Sequence, residues 1–180
     1  MNLHNFFSLT AVVFFLFTLT GCDQIYRLVQ KEGAEEKDIL GEVISFESNK
    51  KVQEVQKLLK LYGYNPGTTD GKFGVNTRNA IERFHKDNKL PAHRFVDRKT
   101  WERLNIFPKS GLVMNFAVNT KQAQTALQNA GFKPGKIDGR MGKKTLEVLK
   151  EFQKANGLKP DGKMGFKTLS KLEEYLEKRN

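Results

Sequence analysis

One cysteine, one tryptophan, three histidines and five prolines in 180 residues leave little material for several kinds of chemistry. A single cysteine forms neither an intramolecular disulfide nor a cysteine-rich metal cluster. Three histidines, one of them at position 4, and no His-Glu-x-x-His string leave a zinc hydrolase without its ligands and base. No apolar run reaches the roughly 20 residues that a helix needs to cross a bilayer. The longest, FFSLTAVVFFLFTL at 6–19, has 14. Acidic residues are scarce, 20 against 31 basic, for a formal net charge of +11. The length excludes a β/α barrel of about 250 residues and suits one ordinary domain or two very small ones.

The apolar run has the length of a signal-peptide core, and five of the 14 phenylalanines fall in the first 17 residues. Cys22, the sole cysteine, comes directly after it in Leu19-Thr20-Gly21-Cys22. That string resembles the lipobox of bacterial lipoproteins. The resemblance implies cleavage after residue 21, a lipid thioether on Cys22, added acyl chains such as palmitate, and a chain held at a membrane. Two or more acyl chains hold a protein stably where one does not. Residues 1–5 lack the usual positive charge, so an uncleaved anchor helix is the competing reading. Either way the rest of the chain is expected outside the cytoplasm, in the cell envelope facing the periplasm or wall. Asp23 resembles an inner-membrane retention signal of some bacteria, and the choice between inner and outer membrane stays open.

Charge divides the chain beyond residue 21. Residues 22–49 carry net −4, residues 50–107 net +7 and residues 108–180 net +8. The acidic segment 22–49 reads as a tether, and ILGEVISF (39–46) fits a strand or a packed helix equally well. The basic remainder implies anionic partners. For an exported chain these are lipid headgroups and wall carboxylates, not nucleic acid.

Shifted by 68 residues, the chain matches itself without a gap. Gln56 falls on Gln124, Gly63 on Gly131, Pro66-Gly67 on Pro134-Gly135, Asp70-Gly71 on Asp138-Gly139, Thr77 on Thr145 and Phe84 on Phe152. In all, 16 of 54 aligned positions are identical, where chance gives about three. The spacing predicts three helices per copy. Ser48 or Asn49 caps the first, whose apolar face is Val52, Val55, Leu58, Leu59 and Tyr62. Gly63 ends it. The loop YNPGTTDGKFG breaks any helix, and a second covers 75–88 with Ile81 and Phe84 inward. Asp97 caps a third over 98–105, with Trp101 and Leu104 inward. The second copy repeats this with Ala123, Leu127 and Ala130; Leu146, Leu149 and Phe152; and Leu169, Leu172 and Leu176, its last helix reaching Tyr175 to about Lys178. The fold class is therefore all-α, two tandem small three-helix bundles at 50–107 and 119–180. Residues 108–118 join them, either as a free linker or beneath copies packed together. The one-to-one period favours a similar core in each copy over one shared core.

The pattern Q-x₂-L-x₃-G-Y-x-P-G-x₂-D-G-x-F-G-x₂-T of copy one and its counterpart in copy two closely resemble the small three-helix peptidoglycan-binding domain found beside bacterial cell-wall hydrolases. The resemblance covers 50–105 and 119–173. It implies non-catalytic binding of peptidoglycan by a lipid-anchored protein that ties membrane to wall, or brings a hydrolase or other envelope protein to it. Copy one departs from the pattern at Phe84-His85, where copy two has Phe152-Gln153, and at HRFVD (93–97), where copy two has Asp161-Gly162.

The implied site is a shallow cleft between loop and helices. The loop feeds a helix N-terminus, whose free N–H groups hold anions. Tyr64 and Phe132 are its aromatic candidates, with core positions as the alternative. Asp70 and Asp138 are ligand contacts or, with the glycine after each, turn formers. Arg78, Lys143 and Lys144 are candidates for pairing with a wall carboxylate, or else solvated helix charge.

No reading supports catalysis or a cofactor. His85 and Asp87 lie two apart on a helix and do not share a face. Ser48-Asn49-Lys50-Lys51 satisfies S-x-x-K but has no S-D-N or K-T-G partner. Asp70 and Asp138 sit in equivalent turns of separate units, not as a glycosidase pair, and D-G-K-F-G lacks the ligands of a calcium loop. The rival function is a periplasmic protein-interaction module that holds an envelope partner without binding wall.

Overall fold

The computed structural model describes residues 48–176. The expected signal peptide, Cys22, nearly all of the acidic segment and the part of the expected last helix beyond 176 lie outside these residues. Within them no helix is long and apolar enough to cross a membrane.

Among the described residues seven helices and one hairpin of two-residue strands succeed one another. Helix α1 (Lys50–Leu61) starts at Asn49, whose side chain accepts from the N–H groups of Lys51 and Val52 at 2.8 and 3.4 Å. Helix α2 (Val75–Asn88) has the expected bounds, and Lys89 in the left-handed region ends it. Helix α3 (Arg98–Leu104) is capped by Asp97, which accepts from Thr100 N–H at 2.8 Å. The apolar faces are those expected, except that Trp101, Ala130, Leu146 and Leu176 are only half-buried.

The joining segment does not run free. Helix α4 (Ile106–Ser110) continues almost directly from α3, and Phe107, Leu112 and Val113 are buried. Strands β1 (Val113–Met114) and β2 (Ala117–Val118) pair antiparallel, Val113 with Val118 and Met114 with Ala117. The turn between them places Asn115 and Phe116 at φ 50° and 58°, as a tight hairpin turn demands. Asn119 then closes the hairpin through its N–H to Leu112 O, 2.8 Å, and caps the next helix through Gln122 N–H.

Copy two folds as α5 (Thr120–Asn129), α6 (Lys143–Ala155) and α7 (Phe166–Glu173). The last helix stops at Glu173, short of the expected extension, and residues 174–176 turn instead. Asn129 holds that turn by donating to Tyr175 O at 3.0 Å.

The cores of the two copies are alike, as the period predicts, but they are not separate. Phe166 at the start of α7 inserts into copy one. Its ring lies 5.4 Å from that of Tyr62, 5.2 Å from Phe84 and 5.0 Å from Phe107. The Arg103 guanidinium stacks 4.9 Å from its centre. Its N–H donates to Tyr62 O at 3.1 Å. Gly165 makes that approach possible, because a Cβ there would lie 3.1 Å from the same oxygen. The sequence hides this contact because the seam is where the copies differ. Phe166 aligns with Arg98 and Tyr62 with Ala130.

Candidate binding site

Three loops are built on one plan, each around a buried glutamine. In copy one Gln56 Nε2 donates to Lys72 O (2.9 Å), Thr77 Oγ1 (3.1 Å) and Asp70 Oδ1 (3.2 Å). Its Oε1 accepts from Gly71 N–H at 2.8 Å. Gln124 does the same with Arg140 O, Thr145 Oγ1, Asp138 Oδ1 and Gly139 N–H. Gln153 repeats it a third time with Lys163 O, Thr168 Oγ1, Asp161 Oδ1 and Gly162 N–H. Each aspartate also accepts from the N–H two residues on, at 2.9 Å in all three cases. The string D-G-x-[FM]-G-x₂-T thus wraps a glutamine amide whose hydrogen-bonding capacity is fully used, as a buried polar group requires. A glycine with positive φ comes after the aspartate each time.

The aspartates are therefore braces of the turn. Asp70 is held at about 2 by the Lys72 N–H, the Thr68 hydroxyl and the Gln56 amide. Asp138 and Asp161 are likewise held below the usual carboxylate range, first by the N–H of Arg140 and Lys163 respectively. All three stay ionised at neutral pH and lie at the surface.

The fourth position of the plan departs from it. His85 stands where copy two has Gln153, and His93 where it has Asp161. Thr100 is kept, and His85 Nε2 lies 2.8 Å from its Oγ1. The His85 and His93 rings meet edge to face at 4.3 Å, and His93 stacks on Phe95 at 3.9 Å. His93 Nε2 lies 3.4 Å from Asp97 Oδ2. Burial, and then the neighbouring His93, push His85 down to about 4. For Asp97 burial is opposed and outweighed by hydrogen bonds from His93 and Thr100, which hold it well below the carboxylate range. Asp87 takes no part; it accepts from Tyr64 Oη at 3.1 Å on the other face of α2. Among the described residues no group of three or more His, Cys, Asp or Glu is placed to hold a metal.

Two open clefts flank these loops. The first, about 320 Å³, lies at the start of α2 between Pro66, Thr68, Asp70, Phe73, Val75 and Asn76. This is the loop-and-helix cleft the sequence suggests, and Asp70 is on its wall. The second, about 430 Å³, lies between the copies, among Tyr64, Asp87, Lys159, Lys163, Phe166 and Lys167.

The candidates from sequence separate accordingly. Tyr64 is buried with its ring edge-on to Phe84 at 5.4 Å, so it is a core residue that also lines the second cleft. Phe132 is half-buried against Phe152 at 5.5 Å. Arg78 is not solvated helix charge. It is buried, its guanidinium 5.0 Å from the centre of the Phe73 ring. Lys143 and Lys144 are exposed on the first turn of α6, beside the Asp138 loop. Sequence reasoning missed the glutamines, although Gln56 on Gln124 is among the repeat matches. It also missed Asp87, Lys159, Lys163 and Lys167, which only the seam brings together.

A family model described as “Putative peptidoglycan binding domain” matches residues 48–104 and 117–172. No solved structure matches the chain.

Proposed function

The chain belongs to the peptidoglycan-binding domain family, matched twice over most of its length, and from that premise we propose that it is a lipid-anchored wall-binding protein. Peptidoglycan binding is the general function of such a module, which is a binding unit and not an enzyme. The finer reading has three parts. Cys22 carries the lipid, supported by the 14-residue apolar run and by the only cysteine standing in a lipobox-like string. The acidic segment 22–49 spaces the folded part from a membrane. The two basic copies, net +7 and +8, then meet the carboxylates of the wall and tie it to the membrane or bring a hydrolase partner to it.

The observation that carries wall binding is the tandem family match on two copies that share one internal plan, the glutamine-braced Asp-Gly loop. The test is made in cells. Incorporation of labelled palmitate is expected in the parent and lost in Cys22→Ser. After crosslinking and boiling in detergent, the parent is expected to remain with the isolated sacculi. Recovery with a defined protein and not with sacculi is the result of a protein-interaction module and overturns the reading.

A further inference from the structure

We propose that the cleft between the two copies is a composite site for a short wall peptide carrying free carboxylates and a free amine. The inference rests on the wall-binding reading and names the ligand chemistry and the residues.

The two walls of the cleft come from different copies and carry opposite charge. Copy two contributes the exposed ammonium groups of Lys159, Lys163 and Lys167. Copy one contributes the Asp87 carboxylate, positioned by the Tyr64 hydroxyl that donates to its Oδ2 at 3.1 Å. Asp161 also lines the cleft, but its Oδ1 is engaged by the Lys163 N–H and the Gln153 amide. The Phe166 plug and the Phe166 N–H to Tyr62 O bond fix the distance between the walls. Such preorganisation lowers the ordering cost of binding. A volume of about 430 Å³ falls within the range of small-ligand sites.

An ion pair already spans the gap, Lys167 Nζ to Asp87 Oδ2 at 4.0 Å, with side chains 68% and 42% exposed. A pair so open to water contributes about 0–1 kcal/mol. A ligand with one carboxylate and one amine replaces it at little cost and satisfies both partners. Two further lysines are left for the additional carboxylates of a branched wall peptide.

The comparison of copies points the same way. Asp87 aligns with Ala155, Tyr64 with Phe132, Lys159 with Pro91 and Lys163 with Phe95. The residues that give this cleft its charge therefore differ between the copies at Asp87, Lys159 and Lys163, while Lys167 is kept as Lys99. Asp87 comes only from copy one and the three lysines only from copy two.

The test uses the full-length chain in mild detergent, purified protein-free sacculi, and the tripeptide L-alanyl-γ-D-glutamyl-diaminopimelate, free or acetylated on its side-chain amine. The parent is expected to pellet with sacculi and to bind the free tripeptide. Lys163→Gln with Lys167→Gln, and separately Asp87→Asn, are expected to weaken tripeptide binding about fivefold or more. Asp87→Asn keeps an acceptor for Tyr64, and melting temperature checks that the fold survives. Acetylation is expected to weaken binding to the parent and to make little difference to Asp87→Asn. Lys50→Gln with Lys86→Gln, the same loss of two positive charges at exposed positions away from the cleft, is the control for the lysine pair. If the parent pellets but the tripeptide does not bind, or the cleft variants bind it like the parent, the cleft proposal is overturned while wall binding stands. If the parent does not pellet, both fall.

Discussion

Gln153→Glu exchanges one NH₂ for one oxygen at a side chain that is 1% exposed. In the parent, that nitrogen donates to Lys163 O at 2.9 Å, Thr168 Oγ1 at 3.1 Å and Asp161 Oδ1 at 3.3 Å. The Thr168 hydroxyl rotates to donate to the new oxygen, but the other two neighbours only accept. Two like charges 3.3 Å apart repel, the new one being buried. The surface position of Asp161 screens part of this. The lost donor to Lys163 O adds about 1 kcal/mol. A net loss of about 3–5 kcal/mol is expected at neutral pH, large against a typical total of about 5–15. The new carboxyl has a raised pKa in the fold, so the loss is smallest near or below the ordinary value of about 4.3 and grows as pH rises. Urea unfolding monitored by circular dichroism, parent against variant at pH 7 and again near pH 4, measures it. A variant within about 1 kcal/mol of the parent at pH 7, or equally destabilised at both pH values, would refute the network.

Other parts of the fold give three further expected outcomes. Phe166→Ala removes a ring from among Tyr62, Phe84 and Phe107 and is expected to cost about 3–5 kcal/mol. Calorimetry should then show the two copies melting apart; one unchanged transition contradicts the shared seam. His85, pushed from 6.5 to about 4, is neutral in the fold. The unfolded chain therefore binds its proton first, and stability is expected to fall by about 2–3 kcal/mol as pH drops from 6.5 to 4. His85→Gln, the residue copy two uses, should flatten that slope in acid unfolding curves. Gly71→Ala should cost more than Gly139→Ala in thermal melts. Both have positive φ, worth about 1–2 kcal/mol of strain. Only at Gly71 does a Cβ also meet Ser48 Oγ at 2.6 Å and Asn49 O at 2.8 Å; equal losses contradict that packing.

What the sequence made legible was local. Helical periodicity and caps placed α1, α2 and α3 to within a residue, because Asn49, Gly74 and Asp97 leave few other starts. The repeat located the Asp-Gly turns and left their aspartates as turn formers or ligand contacts. Four things escaped for physical reasons. A glutamine on an apolar helix face has no pattern to announce that it is buried and braced from a loop eight or more residues away. The seam depends on Phe166, which breaks the repeat and so carries no signal in a comparison of copies. Arg78 looked solvated because its partner ring, Phe73, belongs to a loop whose path the spacing does not specify. The second cleft needs both copies in place before Asp87 and Lys167 meet.

The measurement that bears most directly on wall binding is a pelleting isotherm of the full-length chain on protein-free sacculi, at low salt and at about 0.15 M, where exposed charge is screened beyond about 8 Å. Saturable binding that weakens with salt yet survives at 0.15 M, and that lysozyme-digested wall fragments displace, is the expected result. Retention only at low salt, or retention that fragments do not displace, would contradict it.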